Sequence, residues 1–475
     1  MSLITFGTDG WRSIIAENFT FDNVRLVTQA IADYVKVNYP EKSPVVIGYD
    51  TRFLSPEFAK CVAEVLNNNG IDVLIPKRDI PTPVAAFAAL NWQSAGAIMI
   101  TASHNPPIYS GIKYIPDYAG PATPEITNKI VENVLSLEKN GIKIDETIKK
   151  GIIKEFDPTK KYFDFIKGRL ELEKLSQCNL KIVYDAMYST GRGFLDEILS
   201  SITTCEIHTL HNYRDVLFGG SMPEPNVQYL NEMKEFILKN NYQLGLATDG
   251  DADRFGIMDE KGKFYTPNQV ISLLLRHLVK NRGFNGTVVR TIATTHLLDR
   301  LADYYELDLI ETPVGFKYIG AVMRERDVVI GGEESGGLSI LGHIPEKDGI
   351  LANLLVVEML AFENKPLSEI WKEMVNELEF EPSNKRLDLH FTQADKEAVM
   401  DLFRTNTPSK IGEHKVVKVK TIDGVQLILD DDSWVLVRPS GTEPIVRVYL
   451  ETNGPKHLVQ LQYDIEELIN TAKMS

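Results

Sequence analysis

The first residues that could do chemistry lie in a short stretch that we name the serine loop, Thr101 to Pro106. It follows an apolar run, Ala95 to Ile100, that is too short and too β-branched at its end for a helix and therefore predicts a buried strand. Loops beyond strand ends carry the ligands of open α/β sheets. Ser103, beside His104 and ten residues before Lys113, is therefore a candidate nucleophile for phosphate. The alternative is an ordinary polar turn.

The aspartate loop, Asp249 to Arg254, reads Asp-Gly-Asp-Ala-Asp-Arg. Three carboxylates at alternate positions of one tight turn can surround a hard cation with oxygen ligands. A calcium-binding EF-hand would need glycine where Arg254 stands and helices where both flanks predict strands. The pattern predicts a metal site between two strands, and a solvated acidic turn is the alternative.

The glutamate loop, Gly331 to Gly337, follows another predicted strand. Its Glu333 and Ser335 supply an acceptor and a donor that suit adjacent sugar hydroxyls. Further along the chain, Lys347 is a candidate proton donor or phosphate contact. A flexible surface loop would explain either stretch alone.

The arginine loop, Arg438 to Pro444, lies between two predicted strands. Successive N–H groups, hydroxyls and guanidinium groups can converge there on an anion. The residues that would supply them are Arg438, Ser440, Gly441, Thr442 and Arg447. Near the start of the chain, the glycine-punctuated stretch Gly7 to Arg12 presents another guanidinium, although a hairpin turn also accounts for it.

These loops need strands and helices to position them. A strand-loop-helix-strand pattern begins near Val45 and again near Lys181 and Thr287, whereas the last hundred residues read as strands closed by an amphipathic helix. The pattern predicts an α/β protein with three related α/β domains with mixed sheets plus a C-terminal α+β domain. The predicted domains span residues 1–150, 151–262, 263–378 and 379–475.

The composition restricts the partners and the setting of the chain. Among 475 residues, 66 acidic and 51 basic side chains give a net charge of −15, which disfavours nucleic acid and anionic membranes as partners. We find no signal peptide and no apolar run long enough to span a membrane. The cysteines, Cys61, Cys178 and Cys205, form no Cys-x-x-Cys pair, which favours a reducing, cytoplasmic setting.

Taken in order, the four loops resemble those of the α-D-phosphohexomutase family, and most closely those of phosphoglucomutases. The similarity covers the whole chain, with one loop in each predicted domain. It implies four domains around a central active-site cleft. It also implies transfer of phosphate between O1 and O6 of a hexose through a phosphoserine and a hexose 1,6-bisphosphate, with glucose as the preferred sugar.

The resemblance also implies a role for each candidate residue. Ser103 would carry the phosphate, and that phosphate with Asp249, Asp251 and Asp253 would hold Mg²⁺. The remaining catalytic candidates are the proton-transfer lysine Lys113 together with Arg12, His104, Arg254 and Lys347. Contacts to the sugar and to the phosphate that is not reacting would come from Lys317, Glu333, Ser335, Arg438, Ser440, Gly441, Thr442 and Arg447. Glucose 1,6-bisphosphate is the expected activator, sugar phosphates are the expected partners, and the protein is expected to be a monomer or homodimer.

The family resemblance is compatible with more than one sugar. Bifunctional phosphomannomutase/phosphoglucomutases end the glutamate loop in histidine, whereas this chain has Gly337, so the proton carrier on the sugar side is open. A phosphomannomutase, such a bifunctional enzyme and, less strongly, a phosphoglucosamine mutase remain alternatives. Two alternatives come from other functional classes. A metal-dependent sugar phosphatase would need a positioned water molecule, which no motif marks. A catalytically inactive sensor of sugar phosphates would not need the intact serine and aspartates.

Overall fold

The computed structural model describes residues 4–7, 10–41, 44–142, 147–439 and 445–474. These residues form two compact units, which we describe separately. The first comprises residues up to 284 together with 316–370, and the second comprises 285–315 together with 371 onward. Among the described residues, no helix combines the length and the apolarity needed to cross a membrane.

The strands in chain order are β1 Trp11–Ile14, β2 Val45–Tyr49, β3 Val73–Pro76, β4 Gly96–Ile100, β5 Tyr109–Pro116, β6 Ile153–Phe156, β7 Lys181–Asp185, β8 Glu206–Leu210, β9 Leu244–Thr248, β10 Phe255–Asp259, β11 Phe264–Tyr265, β12 Thr287–Thr291, β13 Asp308–Thr312, β14 Val328–Gly332, β15 Leu338–Ile340, β16 Pro382–His390, β17 Lys410–Ile411, β18 His414–Lys420, β19 Val425–Leu429, β20 Trp434–Pro439 and β21 Ile445–Asn453.

The helices are α1 Phe21–Asn38, α2 Ser55–Asn68, α3 Thr82–Asn91, α4 Pro124–Asn140, α5 Thr159–Lys167, α6 Leu172–Ser176, α7 Leu195–Ile202, α8 Asn231–Asn240, α9 Pro267–Lys280, α10 Leu297–Tyr304, α11 Phe316–Met323, α12 Gly349–Glu363, α13 Leu367–Leu378, α14 Gln393–Arg404 and α15 Pro455–Met474. The spacing of Val24, Val27, Ile31 and Val35 predicts one apolar face of a helix, and all four are buried in α1.

The first sheet of the first unit has the order β1-β5-β4-β2-β3-β6. Strands β4, β2, β3 and β6 run parallel, whereas β5 is antiparallel to both of its neighbours. The central strands β2 and β4 are buried along their whole length, as their continuous apolar sequences predict. The serine loop leaves the sheet at the end of β4, and Lys113 lies opposite Met99 in the β4–β5 ladder.

The second sheet of this unit has the order β11-β10-β9-β7-β8. Strands β7, β8 and β9 are parallel, and β10 returns antiparallel to β9. The aspartate loop is the turn between β9 and β10, with Thr248 and Phe255 paired at its base. In the same unit, β14 and β15 form an antiparallel hairpin that carries the glutamate loop.

The second unit contains an antiparallel sheet in the order β16-β21-β20-β19-β18-β17, and separately the parallel pair β12–β13. Its largest core cluster includes apolar residues of β19, β20, β21, α14 and α15. A smaller cluster surrounds Trp434, whose indole N–H donates to the buried carboxylate of Glu451 at 2.8 Å. The same carboxylate accepts the His296 N–H at 2.9 Å and the Asn384 side-chain amide at 2.6 Å, so it is fully engaged despite its burial.

Two local predictions from the sequence are wrong. Ser55 followed by Pro56 predicts an N-cap and first helical turn, but Ser55 is the first residue of α2, which follows Leu54 in a left-handed conformation. The Ser55 hydroxyl instead donates to Asp50 at 2.7 Å. The sequence also predicts that Lys113 lies in a loop, but it lies within β5. The sequence pattern also missed β16, an edge strand with mostly exposed or half-buried side chains, which gives little apolar periodicity.

Candidate active site

The serine loop presents its serine in a strained and enclosed position. Ser103 has a φ of 51° and is 2% exposed. The left-handed backbone is uncommon for a residue with a Cβ, and such strain persists only where the surroundings impose it. The N–H of Ser103 donates to Thr101 Oγ1 at 2.8 Å, and its hydroxyl donates to Asp249 Oδ2 at 2.9 Å. The serine oxygen therefore points directly at the aspartate loop.

A buried arginine imposes this conformation on the serine loop. Arg52 donates from Nη2 to the carbonyl oxygens of Ser103 and Asn105, each at 2.7 Å. From Nη1 it donates to the carbonyls of Pro106 at 2.7 Å and Tyr109 at 3.1 Å. A guanidinium carries five N–H donors in a fixed fork, and four of them hold the backbone around the serine.

The remaining donor of this guanidinium is held by a buried carboxylate. Arg52 Nε lies 2.9 Å from Asp50 Oδ2, and both side chains are fully buried. Burial raises the pKa of Asp50, and the adjacent guanidinium opposes that increase. Asp50 also accepts from the Ser55 hydroxyl. The serine loop is thus fixed to β2 and the start of α2 through an ion pair whose hydrogen bonds are satisfied.

The aspartate loop packs directly against the serine loop. Asp249, Asp251 and Asp253 are at most 1% exposed. Gly250 has no room for a side chain, because a Cβ there would overlap the Ser103 carbonyl oxygen. On its other side the loop accepts a hydrogen bond from Ser189 Oγ to the Asp249 carbonyl at 2.7 Å. The two predicted loops therefore form one site.

Cationic and hydroxyl side chains surround the carboxylates. Lys113 Nζ lies 3.4 Å from Asp251 Oδ2 and 3.8 Å from Asp253 Oδ2. Lys347 Nζ lies 3.1 Å from the same Asp253 oxygen. Thr82, the first residue of α3, donates its hydroxyl to Asp251 Oδ2 at 2.6 Å. Both lysines are almost fully buried, so solvent screens these contacts weakly.

The carboxylates nevertheless keep an excess of negative charge. Burial raises the pKa of Asp249 well above its usual value, and the charges of Asp251 and Asp253 raise it further. Burial also acts to raise the pKa of Asp251, but Lys113 and other neighbouring donors outweigh it and the pKa is lowered. A further cation would relieve the repulsion that these shifts reflect.

The unpaired oxygens fit such a cation. One oxygen from each of Asp249, Asp251 and Asp253 lies within 4.8 Å of the others. Within the described part of the chain, Asp251 Oδ1 and Asp253 Oδ1 are buried without a hydrogen-bond partner. The lysines and Thr82 occupy the Oδ2 atoms, which leaves these Oδ1 atoms for a ligand. An all-oxygen set of this kind suits a hard divalent cation.

The far side of the serine is strongly positive. Arg12 Nη1 donates to Asn105 Oδ1 at 2.8 Å, which brings its guanidinium to the serine loop. His104 Nδ1 lies 3.3 Å from Ser103 Oγ. Burial lowers the pKa of His104 well below its usual value, and Arg254 and the other surrounding cations lower it further, so this imidazole is neutral. A phosphate on the serine would therefore meet positive charge and neutral donors.

The glutamate loop carries a carboxyl that titrates near neutrality. Burial raises the pKa of Glu333 to about 7, and Glu334 and Asp253 add to the increase while Lys347 and Arg254 oppose it. Ser335 is half-buried in the same turn. Lys317 lies in the first turn of α11, with its ammonium 5.3 Å from the ring centre of Tyr318.

The glycine at the end of this loop makes room for a lysine. A Cβ at Gly337 would overlap Cδ and Cγ of Lys347. The aliphatic stem of Lys347 therefore passes through the space that a side chain at residue 337 would fill. This contact explains why glycine stands there, a point that the sequence left open.

Part of the predicted phosphate site lies in the second unit. Arg438 Nε donates to Asp423 Oδ2 at 2.8 Å. Arg447 faces Arg438 across the β20–β21 ladder and lies 3.8 Å from Asp388. Residues 440–444, which include Ser440, Gly441 and Thr442, lie outside the described residues.

Sequence reasoning missed Asp50, Arg52 and Thr82. The signal for the first two was present, since Asp-Thr-Arg directly follows a strand that was predicted correctly. The neighbouring sequence does not reveal the role of Arg52, because this residue binds carbonyl groups more than fifty residues further along the chain. Thr82 had no local signal, since its partner Asp251 lies in another sheet.

Four family models cover most of the chain. They describe phosphoglucomutase/phosphomannomutase α/β/α domains I, II and III, matched at residues 3–141, 160–262 and 266–378, and the C-terminal domain, matched at 397–468. The predicted class, three α/β domains with mixed sheets followed by a C-terminal domain, is confirmed. The exact domain boundaries stay predictions.

Relatives of known description agree with these models. A phosphoglucomutase/phosphomannomutase of Thermococcus kodakarensis is 30% identical, with 94% of each chain covered. A Methanosphaera stadtmanae protein, described provisionally as a phosphoglucosamine mutase, is 31% identical, with 98% of each covered. The crystal structure of a Thermus thermophilus protein, described provisionally as a phosphomannomutase, has a TM-score of 0.86 at 31% identity, with 99% of each chain covered.

The fold and these matches define an enzyme of the mutase class, an isomerase that catalyses phosphoryl transfer. The chain belongs to the phosphoglucomutase/phosphomannomutase family of phosphohexomutases. The predicted family resemblance is confirmed.

We predict that Arg52→Lys will reduce kcat by about 10²-fold, because a lysine cannot supply five donors and a small displacement of the nucleophile is costly. The substrate KM should change less, since Arg52 faces the backbone of the serine loop. Steady-state kinetics and circular dichroism would test this. Arg25→Lys, at a half-exposed pair with Asp22, is the control and should have normal kinetics. A normal kcat in Arg52→Lys would contradict the role assigned to the guanidinium.

We predict that Glu333→Gln will stabilise the fold in a pH-dependent manner. Folding raises the pKa of Glu333 from 4.5 to about 7, so the folded protein accommodates the protonated carboxyl better than the charged one. The parent protein therefore loses free energy of unfolding as the pH rises from 4.5 to about 7. The variant should gain about 3 kcal/mol relative to the parent near pH 8 but only about 1 kcal/mol near pH 5.

Chemical unfolding of the metal-free protein at both pH values would measure this difference. The exposed residue Glu413 provides a control, since Glu413→Gln should give the same small change at both pH values. An equal effect of Glu333→Gln at both pH values would show that its carboxyl is not held as described.

Proposed function

We propose that this enzyme interconverts hexose 1-phosphate and hexose 6-phosphate, with glucose preferred, through a phosphoserine at Ser103 and a hexose 1,6-bisphosphate. The observation that carries the proposal is the 2.9 Å hydrogen bond from the Ser103 hydroxyl to Asp249 within the buried carboxylate cluster. A hydroxyl that donates to a buried carboxylate can be purely structural, as Ser55 is with Asp50. Ser103 differs because its backbone is held in the left-handed region and its carboxylate partner belongs to the cluster that suits a cation.

In the proposed reaction the phosphate passes from Ser103 to a sugar hydroxyl. The hydroxyl oxygen bonds to phosphorus as the bond from phosphorus to Ser103 Oγ breaks. Lys113, an ammonium beside Asp251 and Asp253, gives a proton to the departing serine oxygen and takes the proton of the sugar hydroxyl in return. The serine hydroxyl formed in this way accepts the second phosphate when the bisphosphate has turned end over end. Positioning and charge neutralisation dominate such transfers, and Arg12 and Arg254 supply positive charge beside the serine loop.

The metal in this proposal is Mg²⁺, held by Asp249, Asp251, Asp253 and the serine phosphate. When bound, it would neutralise charge on the phosphoryl group in transit. The Oδ1 atoms of Asp251 and Asp253, which accept no hydrogen bond, support this assignment, although Arg254 Nε lies 4.0 Å from Asp253 Oδ1. Thr82 orients Asp251 through its hydroxyl, and Lys113 and Lys347 restrain Asp253.

On the sugar side we assign recognition of hydroxyl groups to Glu333 and Ser335 and a further substrate contact to Lys317. Lys347 replaces the histidine that bifunctional relatives carry at residue 337, because its stem fills that position. The neutral His104 donates to phosphate. Residues of the arginine loop, together with Arg447, are assigned to the phosphate that is not reacting, and glucose 1,6-bisphosphate to activation.

Two other sugars have specific support. The relative from Methanosphaera stadtmanae is described provisionally as a phosphoglucosamine mutase, and the related Thermus structure provisionally as a phosphomannomutase. A sugar phosphatase would use the same serine and cation. It would release inorganic phosphate instead of moving it, which makes the two reactions separable in one assay. A cytoplasmic setting and a monomeric or homodimeric state stay predictions.

We predict that glucose 1-phosphate gives the highest kcat/KM among the 1-phosphates of glucose, mannose, glucosamine and N-acetylglucosamine. Glucose 1,6-bisphosphate should prime dephosphorylated enzyme, and mass spectrometry should locate the phosphate on Ser103. Ser103→Ala should lose nearly all turnover, whereas Ser110→Ala, a buried serine on the neighbouring strand β5, should retain it. Phosphate found only on another residue would refute the phosphoserine, and faster release of inorganic phosphate than isomerisation would favour the phosphatase.

We predict that a chelator abolishes isomerisation and that Mg²⁺ restores it. Because the cation relieves repulsion among buried carboxylates, MgCl₂ should also raise the thermal unfolding midpoint of the parent protein. Asp251→Asn should weaken that rise. Asp430→Asn, which alters the exposed cluster of His414, Asp430 and Asp431, is the matched control and should preserve it. Full activity in exhaustively metal-free enzyme would exclude the metal.

A further inference from the structure

We propose that Cys178 and Cys205 form a peroxide-reactive dithiol site that closes reversibly to an intramolecular disulfide. The two residues are far apart in the sequence, but their sulfur atoms lie 3.6 Å apart. A disulfide bond is about 2.0 Å long, so less than about 1 Å of movement by each sulfur would close it. The site is separate from the serine and aspartate loops and has no part in the proposed mutase reaction.

The backbone on both sides already holds the two cysteines in register. Cys178 precedes β7 and Cys205 precedes β8, and the two strands are parallel neighbours. Thr204 donates to the Cys178 carbonyl through its N–H at 3.0 Å and through its hydroxyl at 2.8 Å. The Glu206 N–H donates to the Leu180 carbonyl at 2.9 Å. The sulfur atoms therefore meet as a consequence of strand pairing, and little backbone movement is needed.

The two thiols are unequal in the way that a reactive pair requires. Cys205 is half-buried, whereas Cys178 is buried. The two thiols share a hydrogen bond, which lowers the pKa of Cys205 and raises that of Cys178. Cys205 Sγ also lies 3.4 Å from the Cys178 carbonyl oxygen, and the Leu180 N–H lies 3.3 Å from the same sulfur. Because Cys205 is the more exposed of the two, it is the thiol that meets an oxidant, and the buried Cys178 is the protected partner.

The proposed oxidant is a hydroperoxide, such as hydrogen peroxide. The Cys205 thiolate attacks one peroxide oxygen, the O–O bond breaks, and the departing oxygen leaves as water after taking a proton, which leaves a sulfenic acid. The Cys178 sulfur then attacks the Cys205 sulfur, and the sulfenic oxygen leaves as a second water with the Cys178 proton. Two thiols are oxidised and one peroxide is reduced, so the step balances, and an external thiol reverses it.

Closure would constrain a segment that supports the candidate active site. The residues between the two cysteines include α7 and the turn at Ser189 and Thr190. Ser189 Oγ donates to the Asp249 carbonyl at 2.7 Å, and Thr190 Oγ1 to the Gly250 carbonyl at 3.3 Å. A link at the opposite end of β7 and β8 closes a loop in the unfolded chain, so it should stabilise this region without entering the reaction site.

The test exposes the reduced, full-length enzyme to a small excess of hydrogen peroxide. We expect free thiols to fall from three to one, the intact mass to fall by two hydrogen atoms, and peptide mapping to join Cys178 to Cys205. The thermal midpoint should rise by about 4 °C and return after dithiothreitol. An unchanged thiol count, a link between molecules, or a bond involving Cys61 would overturn the proposal.

Two variants separate the roles of the cysteines. In Cys178→Ser, peroxide followed by dimedone should label Cys205, because the sulfenic acid has no partner. In Cys205→Ser, Cys178 should stay unlabelled. Cys61, buried on α2, is the internal control. Dimedone on Cys61 alone, or equal labelling of Cys178 and Cys205, would refute the assigned order of reaction, and each variant is checked for folding by its mutase activity.

Discussion

Three carboxylates removed from water on a single turn repel one another strongly. With one oxygen of each within 4.8 Å of the others, each charged pair costs about 3 kcal/mol at an effective dielectric constant of about 20. Three such pairs approach the total stability of a typical domain. Positive charge lowers this cost, and Lys113 from β5 and Lys347 from the segment before α12 both supply it. The raised pKa of Asp249 lowers it as well, because it favours the neutral carboxyl.

The same repulsion explains why the serine loop needs an independent anchor. Ser103 donates to Asp249, but a single hydrogen bond to a charged group is worth about 1.5–3 kcal/mol and must also offset the strained backbone of the serine. The Arg52 guanidinium adds charge-assisted hydrogen bonds to carbonyl groups along the loop. Because Arg52 is itself paired with Asp50, this anchor does not depend on the carboxylates of the aspartate loop.

The sequence identifies those parts of the site that are encoded locally. A buried strand followed by a polar loop locates Ser103, and alternate carboxylates between two strands locate Asp249, Asp251 and Asp253. Partners contributed by distant strands have no such signature. Lys113 was noticed as a lysine ten residues after the serine, and the family resemblance implied its role in proton transfer. Its place in β5 opposite Met99 follows from an antiparallel pairing that no local pattern specifies. The thiol pair was missed for the same reason, because its members meet only when β7 and β8 align.

The residue that closes the glutamate loop illustrates how a missing side chain can carry functional information. Glycine at residue 337 reads as a departure from the bifunctional pattern and suggests that a group has been lost. The packing favours a different interpretation, since the space is filled by the stem of Lys347, whose ammonium reaches the same Asp253 oxygen as Lys113 does. A larger residue at 337 would displace that lysine and leave Asp253 with Lys113 at 3.8 Å and Arg254 at 4.0 Å. The lysine at 347 can take this position only because residue 337 is glycine. We infer that a change at either residue alone would disturb the charge balance of the aspartate loop.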